Sequence, residues 1–133
     1  MIIGIGTDIV EIDRVAKAIK GEAFVKRVFT PAEAEYCRSR KAGMTASFAG
    51  RFAAKEAIMK ALGTGLREGS LTELEIINDQ LGCPQVRLTG RFGEIAKEKG
   101  MISCHISISH SMAYATAQCV MEGQEQGKGE EKS

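Results

Sequence analysis

Three charged side chains stand within six positions of one another in the run RFAAKEAIMKALGTG at residues 51–65: Lys55, Glu56 and Lys60. Glu56 and Lys60 are four apart, so on a helix they lie on one face, close enough to share a ligand or a proton. Taken alone, that spacing is also the commonest solvated helix pair, contributing about 0.2–0.5 kcal/mol. A second acid changes the reading. Asp8 closes a short apolar run in GIGTDIVEI, and two carboxylates far apart in sequence become candidates for one site. Gly63, Thr64 and Gly65 end the helix with a backbone free to approach something closely; as local structure they are a helix stop. His105 lies in an alternating stretch, where a lone histidine is most often a hydrogen-bonded structural residue.

The elements that must position these groups follow from periodicity. Residues 2–8 read as a buried first strand whose glycines either pack closely or leave room beside Asp8. A dinucleotide loop is a poor match there, because the third glycine of its signature is missing. Ile12, Val15, Ala16 and Ile19 recur at helical spacing and predict an amphipathic helix over residues 10–20. Phe24, Val25, Val28 and Phe29 suggest a further helical turn. Thr30, Pro31 and Glu33 form a capping box with proline at the first helical position, which starts a helix running to about residue 40. The longest element is predicted over residues 45–62, with Phe48, Phe52 and Met59 toward the core. LTELEIIND and CPQVRLTG read as a hairpin, Phe92, Ile95 and Ala96 as a helix ending at Gly100, and residues 102–121 as a second hairpin turning near His110. The order β, α, α, α, ββ, α, ββ predicts an α+β domain, a largely antiparallel sheet with a long central helix packed on it.

A chain of 133 residues with 44% hydrophobic and 26% charged content is one globular domain, expected over residues 1–121. The last twelve, GQEQGKGEEKS with the preceding Glu122, are polar and glycine-rich, and read as a disordered tail over residues 122–133. Between residues 12 and 41 there are eight Lys or Arg against four Asp or Glu, a basic excess suited to an acidic partner or to a plain solvated surface. Nucleic acid is disfavoured: there is no Trp, only two Tyr, and no nucleic-acid module. Cys37, Cys83, Cys104 and Cys119 are widely spaced without a CxxC pair, which reads as buried reduced thiols in a cytoplasmic protein. The start lacks a basic leader and nothing approaches a membrane span, so neither export nor membrane insertion is expected.

GIGTDIVEI, GRFAAKEAIMKALGTG and HISISHS, in that order over residues 1–121, resemble the holo-acyl-carrier-protein synthases, the small class of 4′-phosphopantetheinyl transferases. The resemblance implies that fold, and transfer of the phosphopantetheine arm of coenzyme A to a serine of apo acyl carrier protein in support of fatty-acid biosynthesis. Adenosine 3′,5′-bisphosphate would leave, and Mg²⁺ would be required. Asp8 and Glu56 match the family's metal-binding acids, a fitting pair for a hard cation that takes its other ligands from phosphates and waters. Glu56, a water on the metal, or Lys60 in its neutral form could remove the serine proton; Lys60 could instead stay charged and offset phosphate. Arg51 and Lys55 could reach phosphates of coenzyme A, with Gly63, Thr64 and Gly65 near the nucleotide.

His105 matches the family's strand histidine beside the coenzyme, while Ser107, Ser109 and His110 have no clear role. Arg14 matches the docking arginine for the acidic carrier protein, followed by Lys17, Lys20, Lys26 and Arg27; the small Ala18 replaces a larger apolar docking side chain of some relatives. Members resemble one another in forming homotrimers with active sites at the interfaces, so His105 and the Asp8/Glu56 pair are expected from neighbouring subunits. The competing reading is a non-catalytic module that binds acidic carriers or a nucleotide through its basic first helix.

Overall fold

Each apolar repeat settles into an element close to its expected bounds, and the computed structural model describes residues 1–65 and 68–124. The order is β1 (Ile2–Glu11), α1 (Ile12–Ala18), α2 (Glu22–Val28), α3 (Pro31–Ser39), α4 (Met44–Leu62), β2 (Leu74–Asn78), β3 (Pro84–Leu88), α5 (Gly90–Glu98), β4 (Met101–His110) and β5 (Tyr114–Gly123). Short 3-10 turns occupy Lys41–Gly43 and Leu71–Glu73. All strand pairing is antiparallel, but the strands divide into two sheets, β1-β5-β4 and β2-β3.

Helix α4 is the spine. Its 19 residues bury Phe48, Ala49, Ala53, Ala54, Ala57, Ile58, Ala61 and Leu62, so it is covered on most sides, as a central helix should be. Its C-terminus stops at Gly63 in the left-handed region, φ 75°, where the amide of Gly63 donates to the Lys60 carbonyl and that of Thr64 to the Met59 carbonyl. Phe29 and Phe48 meet edge to face with centroids 4.9 Å apart and tie α2 to α4. The capping box at Thr30 is present: the Glu33 amide donates to Thr30 Oγ1 at 3.2 Å, and the Thr30 amide to Glu33 Oε1 at 2.9 Å.

The first strand departs from expectation. It is not buried on both faces. Gly4, Gly6 and Asp8 point toward α4, whereas Ile5 and Ile9 stay 68% and 62% exposed on the other face. The glycines explain this choice, since a Cβ at Gly4 would fall on the Ala61 carbonyl and one at Gly6 on the Ala57 carbonyl. Helix and strand backbones are therefore in contact, and only residues without side chains can stand between them.

The expected tail boundary also moves. Glu122 and Gly123 belong to β5, opposite Ser103 and Met101, because the β4 partner continues far enough to pair them. Residues 125–133 of that expected tail lie outside the described residues. The four cysteines are free, but Cys83 is exposed at a hairpin end and Cys104 only half-buried; Cys37 and Cys119 are the buried pair.

Candidate active site

The close packing of β1 on α4 brings the two distant acids together. Asp8 sits opposite Ala117 on the helix-facing side of the sheet, and its side chain is 15% exposed. Lys60, one turn beyond Glu56, donates from Nζ to Asp8 Oδ1 at 3.0 Å and to the Thr7 carbonyl at 3.0 Å. Burial, and secondarily the negative charge of Asp8, push the Glu56 carboxyl above its ordinary value, while Lys60 opposes the rise. Asp8, Glu56 and Lys60 thus form one electrostatic unit. A concavity of about 540 Å³ opens beside Lys60 and Thr7.

This donor set fits a hard divalent cation. It supplies two carboxylates, and among the described residues there is no cluster of three His, Cys, Asp or Glu side chains. Phosphate and water oxygens would complete an octahedral ion of this kind, which usually keeps only one or two protein carboxylates.

At the end of α4, Thr64 Oγ1 is buried with no partner among the described residues, beside Gly65. A buried hydroxyl without a partner is costly and expects one from elsewhere. Arg51 is likewise 5% exposed and lacks a carboxylate partner among the described residues. It donates from Nη2 to Asn78 Oδ1 at 2.7 Å and from Nη1 to Ser47 Oγ at 3.4 Å, while Nε has no partner. The guanidinium lies 4.4 Å from the Tyr36 ring centroid and borders a cavity of about 330 Å³ that Asn78, Ser107 and Ile108 also line. A buried cation with a spare donor suits an anionic group.

Lys55 does not join them. It is fully buried and donates to Glu33 Oε1 at 2.9 Å, to the Leu71 carbonyl at 2.9 Å and to the Leu74 carbonyl at 2.8 Å, the three acceptors an ammonium needs. Burial lowers its pKa and Glu33 opposes that. Its expected role in holding coenzyme A is withdrawn: one residue's rotation from Glu56 turns it into the core, where it ties α4 to α3 and β2.

His105 also stands apart from the acids within one chain. It is opposite Val120 on the exposed face of the β1-β5-β4 sheet, whereas Asp8, opposite Ala117, faces α4. The sheet separates them. Nε2 of His105 lies 2.8 Å from Glu122 Oε1 and 3.2 Å from Ser103 Oγ. Sequence reading missed Glu122 by placing it in the tail, although the unbroken alternation of β5 reaches it. It missed Asn78 and Tyr36 beside Arg51 because nothing local marks them.

The basic docking candidates remain at the surface. Arg14, with its side chain 83% exposed, approaches Glu11 at 4.0 Å, and Lys17, Lys20, Lys26 and Arg27 are exposed on α1, its C-terminal turn and α2. Arg14 and Ala18 line a largely apolar hollow of about 350 Å³ together with Val15, Phe24, Phe52 and Tyr114. No described helix is long and apolar enough to cross a membrane.

Comparison with known proteins matches residues 4–119 to the family model of the 4′-phosphopantetheinyl transferase superfamily. A holo-[acyl-carrier-protein] synthase of Ruminiclostridium cellulolyticum is 48% identical over 120 residues, 88% of this chain and 90% of that one. Among solved structures, the holo-(acyl-carrier-protein) synthase of Bacillus anthracis in complex with CoA (3′,5′-ADP) superposes with a TM-score of 0.77 at 38% identity, covering 93% of this chain and 99% of that one. The Helicobacter pylori holo-[acyl-carrier-protein] synthase in complex with coenzyme A gives 0.78 at 33% identity, covering 89% and 99%.

Proposed function

This chain belongs to the 4′-phosphopantetheinyl transferase superfamily, as a holo-[acyl-carrier-protein] synthase, and from that premise we propose which of its residues carry out the transfer. Phosphopantetheine passes from coenzyme A to an acyl carrier protein. The Asp8–Glu56–Lys60 cluster is the observation that carries the assignment of residues. Asp8 and Glu56 are the residues that would hold Mg²⁺. Bound there, the ion would neutralise the pyrophosphate of coenzyme A as its anhydride bond breaks.

Glu56, grouped with Asp8 and Lys60, is assigned to take the proton from the carrier's serine hydroxyl, directly or through a water. The serine oxygen bonds to the β-phosphorus, and adenosine 3′,5′-bisphosphate departs. Lys60, which donates to two oxygens at the mouth of the site, is the cation placed to offset phosphate charge. Arg51 meets an anionic group of coenzyme A through its spare Nε, and Thr64 with the glycines beside it receives the nucleotide. Arg14, followed by Lys17, Lys20, Lys26 and Arg27, docks the acidic carrier.

Two features support a homotrimer whose sites lie between subunits. His105 faces away from the acids, and the same face exposes Ile2, Ile5 and Ile9 without a covering layer among the described residues. A second copy seated there would cover the isoleucines, and past the edge strand β1, which carries Asp8, its His105 would meet the first copy's acids. Fatty-acid synthesis in the cytoplasm is the setting this activity serves.

The test is incubation with coenzyme A, Mg²⁺ and apo acyl carrier protein, read by intact mass. The carrier gains one phosphopantetheine, and the gain is lost with a chelator or with Asp8→Ala or Glu56→Ala at unchanged fold. A gain that survives both substitutions would remove the cluster from the mechanism.

A further inference from the structure

The exposed face of the sheet holds a hydrogen-bonded cluster that the transfer reaction has not yet used. Three strands contribute. Ser103 and His105 stand two apart on β4, Glu122 is opposite Ser103 on β5, and the Met1 ammonium reaches the same end of the sheet by donating to the Gly123 carbonyl at 3.2 Å. Glu122 Oε1 lies 2.8 Å from His105 Nε2 and receives a hydrogen bond from Ser103 Oγ at 3.3 Å. The His105 hydrogen bond, then that of Ser103, hold the Glu122 carboxyl below its ordinary value, and the Met1 ammonium adds to this.

An ionised carboxylate only accepts hydrogen bonds, so the short contact requires the proton of the shared bond to sit on Nε2. Ser103 Oγ, 3.2 Å from that same Nε2, accepts a share of it while giving its own proton to Glu122. The bonding of Nε2 fixes the ring and leaves Nδ1 without a partner among the described residues. Nδ1 can donate to an anionic oxygen only when the ring also carries its second proton.

We propose that Glu122 is a positioning residue for the transfer: with Ser103 it clamps Nε2 of His105, so that the ring is turned with Nδ1 toward a phosphate oxygen of coenzyme A. This rests on the reading that His105 serves a site completed by a second copy. Glu122 itself touches neither coenzyme nor carrier. Among the described residues, Glu122 on β5 is the ionisable group paired with the ring, the Met1 ammonium just before β1 acts on Glu122, and Ser103 and Ser107 flank the ring on β4 as neutral neighbours.

Three variants separate the possibilities. Glu122→Gln keeps an acceptor but removes the charge, Glu122→Asp keeps the charge, and His105→Ala removes the ring. The expected result for Glu122→Gln is a KM for coenzyme A about fivefold higher, the scale of one exposed charge pair, with kcat within about twofold. Glu122→Asp should recover part of the loss. In ¹⁵N spectra of the assembled protein, the His105 Nε2 resonance should move in Glu122→Gln, as its bond to a carboxylate is replaced by one to a neutral amide. If His105→Ala raises KM while Glu122→Gln changes neither KM nor the Nε2 resonance, the positioning role is overturned and the site reading stands. If His105→Ala leaves KM unchanged, the site reading itself fails.

Discussion

At the scale of single residues, burial and a neighbouring acid set the ionised form of Glu56 against the fold. Its pKa is raised by burial first and by Asp8 second, so the folded chain binds this proton more tightly than the unfolded chain does. The protonated form therefore contributes stability below the unfolded-state pKa, and that contribution is lost as pH rises through the higher folded-state value. Glu56→Gln should melt at a higher temperature than the parent at neutral pH in chelator, with the gap closing toward about pH 4, the ordinary range of such a carboxyl. It should at the same time be inactive. A parent chain that melts higher at neutral pH would show that Glu56 is not repelled in the metal-free fold.

At the scale of elements, the site depends on how α4 is clamped from two sides. On one side, Gly6 lets the strand backbone touch the helix, and Gly6→Ala would force them apart at the Ala57 carbonyl. The expected cost is about 1–3 kcal/mol of stability, as for other overpacked contacts, with a loss of activity larger than that destabilisation alone predicts because Asp8 moves from Glu56. Urea midpoints and initial rates on the same preparations would check it. On the other side, the buried Lys55–Glu33 pair joins α4 to α3, and the Ile76 amide donates to Glu33 Oε2 at 2.8 Å, extending the join to β2. Removing one partner leaves a buried charge, so Lys55→Met should lower stability by about 3–5 kcal/mol in urea unfolding. Lys55→Met together with Glu33→Met should recover much of that. A double variant no more stable than the single one would mean that the other hydrogen bonds of the two side chains, not the charge, dominate.

At the scale of the whole molecule, the two functional surfaces make separable predictions. Arg14→Glu should weaken transfer mainly through the KM for the carrier, while flattening the salt dependence of the rate and leaving the KM for coenzyme A in place. Equal losses toward both substrates would take Arg14 out of carrier docking. If His105 acts across a subunit boundary, mixing inactive Asp8→Ala with impaired His105→Ala after dissociation and reassembly should restore part of the activity, since some mixed sites regain both groups. Ile5→Asp, placed on the exposed sheet face, should reduce the mass in solution along with activity. Activity from a monomer would overturn the shared-site reading.

The sequence by itself determined the element order, the cap at Thr30, the stop at Gly63 and the placement of Glu56 and Lys60 on one helical face, because each rests on chemistry within a few residues. Its match to a known family also singled out Asp8 as the companion of Glu56. Only the tertiary structure decided which face each strand residue takes. Alternation in β1 distinguishes two sets of residues, and hydrophobicity would send the isoleucines inward; the approach of α4 sends the set of Gly4, Gly6 and Asp8 inward instead, since at the two glycines no side chain fits between the backbones. Long-range partners were equally hidden: Lys55 and Glu56 are neighbours in the chain, yet one is consumed by Glu33 and two carbonyls while the other faces Asp8. His105 was singled out by resemblance to the family, but its separation from the acids by the thickness of a sheet, and its hydrogen bond to Glu122, arise from strand pairing that no local pattern specifies.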